Sequence, residues 1–236
     1  MTSTTPPRPP RLLVRATWIA MVVNVVLLSI GCSPTNLAMF LNVFGDNNLP
    51  PEYPLITDKK KEPTVVVMAN FSQLEDRREV LPSDNELAEK VAQHMKLRAE
   101  ANKQKLKIVP VSQVRSYQTK LGTRNGASPL EVGKHFKSDY VVYLEINSIA
   151  LYERKSFGDL YRGNAEVAIS LYELDKPEGE QKVFDKPYRC EYPTSGPRDA
   201  GSCSVIQFRG QFLTKIAREV SKMFVAFSPD ERTEME

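Results

Sequence analysis

The chain has 236 residues, 41% hydrophobic and 26% charged, a globular composition large enough to bury a sizeable core. Its formal net charge of +3 arises at the N-terminus, where residues 1–31 hold Arg8, Arg11 and Arg15 and no Lys, Asp or Glu. Without those three, 29 basic residues stand against 29 acidic ones, and this neutral remainder leaves no electrostatic case for nucleic-acid binding.

Residues Met1 to Arg11 are rich in Pro, Ser and Thr, and from Trp18 to Ile30 the run WIAMVVNVVLLSI is uncharged. Those 13 residues fall short of the roughly 20 that a membrane-spanning helix needs and match the apolar core of a signal peptide. The run ends in Leu28-Ser29-Ile30-Gly31-Cys32-Ser33, which resembles the lipobox of bacterial lipoproteins. Gly31 and Cys32 match that pattern; Ser29 stands where an aliphatic residue is usual, and Ile30 is bulkier than the usual residue. The resemblance implies a lipoprotein-type signal segment over residues 1–32, with several acyl chains of the palmitate kind on Cys32. Each buried CH₂ contributes about 0.8 kcal/mol, so several chains make a stable membrane anchor. By the same resemblance, Ser33 favours the outer membrane over the inner. The alternative is an uncleaved single-pass anchor reaching back through Leu12-Leu13-Val14. In both readings the arginines stay inside and the remaining chain lies outside the cytoplasm, facing the periplasm.

Residues 33–62 read as a tether, with an apolar stretch Asn36–Phe44 halted by Gly45 and by Pro50-Pro51, and a solvated Lys59-Lys60-Lys61. Thr64–Ala69 is β-branched without alternation, the pattern of a strand buried on both faces. Ser83-Asp84-Asn85-Glu86 has capping-box spacing, and Leu87, Ala88, Val91, Ala92 and Met95 then follow one helical face to about Asn102. Leu106–Val111 predicts a second strand, and Ser112 caps a helix carrying Val114, Tyr117 and Leu121 before a break at Gly122–Gly126. Ser128-Pro129-Leu130-Glu131 joins an N-cap serine, a proline at the first helical position and a glutamate at the third, so a short helix runs from Pro129 to about Phe136.

Asp139–Ile146 predicts a strand continuing to Tyr152, a turn near Phe157-Gly158-Asp159, and a return strand with Ala165, Val167, Ile169 and Leu171 inward. Lys182–Tyr192 is one more strand. A long helix from Val205 carries Phe208, Phe212, Ile216, Val220, Phe224 and Phe227 on its apolar stripe, while Arg209, Lys215, Arg218, Glu219 and Lys222 face water. The expected fold class is α/β of the α+β kind: β-α-β units, then an antiparallel meander, packed by a long C-terminal helix. It occupies residues 63–227, and 228–236 is an acidic, disordered tail.

This order, the lipobox, the strand Val65–Asn70, the helix start Ser83–Glu86 and the segment Leu130–Val142 together resemble one group of proteins. It is the curli-secretion and penicillin-binding-protein-activator group of envelope lipoproteins, which share an α/β domain with the N-terminal domain of TolB. The segment LEVGKHFKSDYVV carries most of the likeness: a short helix with a glycine, then a polar turn into an aliphatic strand. Gly133 lets that helix approach the sheet closely. The resemblance implies a non-enzymatic adaptor or assembly part with envelope proteins as partners; self-association is left open. A pore is not implied, because Ile149–Gly163 carries Glu153, Arg154, Lys155, Asp159 and Arg162 and is too short and charged to cross a bilayer.

Chemistry-bearing residues are sparse. His94 and His135 read as a partly exposed structural histidine and a helix-end histidine facing carbonyls. Neither forms a catalytic, metal or cofactor motif with Cys32, Cys190 or Cys203, and Gly122–Gly126 lacks the GK[ST] of a phosphate loop. With Cys32 acylated in an oxidising compartment, Cys190 and Cys203 are expected to form a disulfide across a Pro-, Gly- and Ser-rich loop; two unrelated buried thiols are the other reading. Tyr143, Tyr161 and Tyr172 are placed on the outer sheet face as a partner surface, against sheet packing as the alternative. A carrier or enzyme for a small envelope molecule is the competing function. A deep pocket with converging polar groups would mark it, whereas a flat aromatic surface or open strand edge would mark an adaptor.

Overall fold

The computed structural model describes residues 48–57, 62–72, 83–121 and 127–229. The signal segment, Cys32, most of the tether, Lys59–Lys61, Gly122–Gly126 and the tail beyond 229 lie outside the described residues. Among the described residues no helix is long and apolar enough to cross a membrane.

A mixed α/β domain is built on one sheet. β1 (Thr64–Phe71) is its centre, buried on both faces as its unalternating sequence requires. β2 (Lys107–Ile108) pairs parallel to one side of β1, and β3 (Tyr140–Tyr152) pairs parallel to the other. β4 (Leu160–Glu173) and β5 (Lys182–Tyr192) follow antiparallel, and the short β6 (Arg198–Asp199) pairs with the start of β4. The order β2-β1-β3-β4-β5 is therefore a parallel core extended by a meander.

Helices cover the two faces unequally. α1 (Ser83–Ala101) and α4 (Val205–Lys222) lie together on one face over a core that includes Val65, Val67, Leu144, Ile169, Phe208, Phe212 and Ile216. α2 (Val111–Lys120) and α3 (Pro129–Phe136) cover a smaller cluster of Val66, Met68, Val114, Val132 and Val141 on the other. β3 keeps its inward residues aligned by a bulge. Ile146 to Ile149 is an odd step that would turn Ile149 outward, and a register shift between Ile146 and Ser148 restores it to the core.

Local capping works where the sequence places it most strongly. The Glu131 carboxylate accepts from the Ser128 N–H at 3.1 Å, and Lys137 ends the helix in the left-handed region at φ 49°. Asp139 then locks the entry to β3: its N–H donates to Thr64 C=O at 2.8 Å, and its Oδ2 accepts from the Thr64 N–H at 2.6 Å.

Several expectations change. Residues 48–57, assigned to the tether, are part of the packed unit. Leu49 forms a bridge with Phe227, the N–H groups of Tyr53 and Leu55 donate to Met223 and Phe224 C=O, and Leu55 is 2% exposed. Apolar burial of Leu55 and pairing with the chain after α4 drive this docking. The described part of α1 begins at Ser83, and Glu86 accepts from Arg209 Nε at 3.1 Å. α2 starts at Val111, so Ser112 lies inside it, and Leu121 is exposed. Val205 is 37% exposed at the head of α4, whereas Lys222 is only 7% exposed: its Nζ pairs with Glu219 at 2.9 Å and lies over the Phe227 ring.

Candidate binding surfaces

The three tyrosines proposed as a partner surface divide between the two faces. Tyr161 shares parity with Ala165, Val167, Ile169 and Leu171, so the pleat sends it inward; it is 5% exposed and stacks on Phe208 with ring centroids 4.8 Å apart. Its placement on the outer face is corrected by that parity. Tyr143 and Tyr172 do lie on the opposite face, half-buried against the smaller cluster. Burial and the neighbouring Glu145 push the Tyr143 hydroxyl up, while a hydrogen bond with Asn70 acts the other way.

Register builds the rest of this face in rows across three strands. Glu145, Ala168 and Pro187 form one row, Ser148, Glu166 and Arg189 the next, and Ala150, Asn164 and Glu191 a third. Glu166, Arg189, Pro187, Asn164 and Glu191 are exposed, and no described helix lies over them. Charges are compensated within the surface. Arg189 pairs with Glu166 at 2.8 Å, and Arg162 is bracketed by Glu153 at 3.0 Å and Glu191. Pro187 lies within the edge strand, where it withholds an N–H from any further strand.

The other face carries an open cleft of about 520 Å³ between α4 and the chain joining β5 to β6. Lys90, Arg198, Lys215 and Arg218 line it beside Tyr192 and Gln211. Gln211 Oε1 accepts from the Tyr192 hydroxyl at 3.3 Å and from Arg198 Nη1 at 3.2 Å. Sequence reasoning assigned Lys215 and Arg218 to a solvated helix face and passed over this convergence, which depends on how the β5–β6 connection folds back.

Cys190 and Cys203 are both free thiols, so the expected disulfide is not formed in the structure. Cys190 is buried opposite Ala165 on β4, whereas Cys203 follows a 3-10 turn and lies within electrostatic reach of Tyr161. Burial pushes the Cys190 thiol up, opposed by a hydrogen bond from Tyr188. His94 is half-buried, and His135 stacks on Tyr117 at 3.7 Å, so its ring serves an aromatic contact where helix carbonyls were expected. Among the described residues no group of His, Cys, Asp and Glu could hold a metal ion.

No family model matches the chain, and no curated protein matches its sequence. Solved structures with a similar fold include the PelC dodecamer from Paraburkholderia phytofirmans, at TM-score 0.41 and 10% identity over 74% of this chain and 94% of that one. Lipoprotein GNA1162 from Neisseria meningitidis is similar at TM-score 0.38 and 10% identity, over 66% and 98%. The LpoB C-terminal domain from Salmonella enterica is similar at TM-score 0.34 and 13% identity, over 65% and 90%.

Proposed function

We propose that this chain is a lipid-anchored, non-enzymatic protein of the bacterial cell envelope that works as an adaptor or assembly factor. Acyl chains on Cys32 hold it in the membrane, the outer one by preference, with the folded unit in the periplasm. The observation that carries the reading is the open face of the meander. Its three rows of side chains are charge-compensated, bordered by Tyr143 and Tyr172, and enclose an open concavity of about 530 Å³ beside Arg162, Glu166, Arg189 and Glu191. A surface whose charges are already paired takes a partner with a smaller desolvation penalty than one of isolated charges. Self-association through this face is the homo-oligomeric form of the same reading.

Two measurements test it. Mass spectrometry of the native protein is expected to find acylated Cys32 as the mature N-terminus, and Cys32→Ala is expected to release the chain from membranes or leave it unprocessed. An intact Met1–Gly31 segment without acyl chains would instead establish the uncleaved single-pass anchor. A photo-crosslinking residue at Ala168, on the middle strand of this face, is expected to trap one discrete envelope protein or a second copy in intact cells. The same residue at exposed Glu89 on α1 is the control. Equal, diffuse products at both positions would refute the adaptor surface. A small-molecule carrier is the second reading, favoured by the cationic cleft.

A further inference from the structure

We propose that the cleft between α4 and the β5–β6 connection binds a multiply charged phosphate group. Four cations from three elements converge there: Lys90 of α1, Arg198 of β6, and Lys215 and Arg218 of α4, with no carboxylate among the described lining residues. Its volume of about 520 Å³ falls in the range of small-ligand sites, about 300–1,000 Å³.

Two of the four cations, Arg198 and Lys215, have no carboxylate partner among the described residues. Arg198 and Lys215 lie 5.2 and 5.8 Å from the centroid of one Tyr192 ring. Among the described residues neither is ion-paired; Arg198 has the Gln211 hydrogen bond and Lys215 the ring. Lys90 donates to Thr214 Oγ1 at 3.1 Å and is 3.9 Å from Glu86 Oε1, but Glu86 is already shared with Arg209. Two like charges on one ring repel, and the ring quadrupole offsets only part of that repulsion. An anion bound in the cleft that both of them line offsets it.

Phosphate fits better than a carboxylate. A carboxylate carries one charge, whereas a phosphate monoester carries about −1.5 to −2 and offers three acceptor oxygens. The Arg198 guanidinium spends one donor on Gln211, which fixes its orientation and leaves the other donors of the fork for a phosphate edge. Gly210 belongs to the same lining. A Cβ there would meet only Glu86 Oε1, at 3.8 Å, so packing does not demand glycine, and the missing side chain keeps the cleft open.

A membrane-held domain meets such a group either on a lipid headgroup or on a soluble phosphate ester, and the test separates them. The full chain in nonionic micelles is titrated by calorimetry with pyrophosphate in one arm and with phosphatidic acid doped into the micelles in the other. Saturable binding is expected in at least one arm. Arg198→Gln with Lys215→Gln should weaken it about tenfold or more per charge-assisted bond lost. Gly210→Leu, which fills the cleft but keeps every cation, should abolish it. Lys182→Gln with Arg189→Gln removes the same charge from the open sheet face and should change affinity less than about twofold. Binding in the first arm alone assigns a soluble ester, and in the second alone a headgroup. Circular dichroism checks that each variant is folded. No saturable heat in either arm, or equal weakening by both double variants, would overturn the proposal.

Discussion

A Cβ added at Gly133 would lie 2.6 Å from Val141 Cγ2 and 2.8 Å from Leu174 Cδ2, closer than real contacts allow. α3 can rest on β3 only because that atom is missing. Gly133→Ala should therefore cost about 1–3 kcal/mol through overpacking. Gly210, in the middle of α4, has no such neighbour, so Gly210→Ala should stabilise by about 0.5–1 kcal/mol through helix propensity. Urea denaturation of the two variants checks both signs. The cysteines differ as sharply. Cys190 is buried with its thiol pushed up, while Cys203 is half-exposed on a turn. Iodoacetamide should label Cys203 in the native protein and Cys190 only after denaturation. A Cys190–Cys203 crosslink in a non-reducing peptide map would contradict the free-thiol structure.

The segment 48–57 behaves as a structural element although it forms no helix or long strand. Its backbone pairs with the residues after α4, Leu55 enters the core, and the Tyr53 hydroxyl donates to Glu173 Oε2 at 3.1 Å. Burial, then the Glu173 hydrogen bond and charge, push Tyr53 up to about 12 from its ordinary 10.0. The unfolded chain thus loses this proton first. The stabilisation is fully present below pH 10 and is lost as pH rises from 10 to about 12. Between those values the denaturation midpoint of the wild type should fall more steeply than that of Tyr53→Phe. Parallel pH profiles would show that Tyr53 does not couple to folding. Leu55→Ala, which leaves a cavity beneath the same segment, should cost about 2–5 kcal/mol.

At the scale of the whole molecule, the packed unit begins by Asn48, so a fragment of residues 48–229 should unfold cooperatively. A fragment starting at residue 63 lacks the Leu49, Tyr53 and Leu55 contacts and should have a lower melting temperature and expose apolar surface to a dye. Equal melting of the two would return the segment to the tether. Short-range order was legible along the chain: the buried run of β1, the Ser128–Glu131 cap and the Phe208–Val220 stripe each arise from residues close together in sequence. Those patterns reflect backbone sterics, capping and side-chain period, which neighbouring residues determine by themselves. The inward turn of Tyr161, the docking of Leu55, the free state of Cys190 and Cys203 and the convergence of Lys90, Arg198, Lys215 and Arg218 were decided only by tertiary structure. Each joins residues far apart in the chain, or depends on strand register, where one residue of slip exchanges the two faces of the sheet.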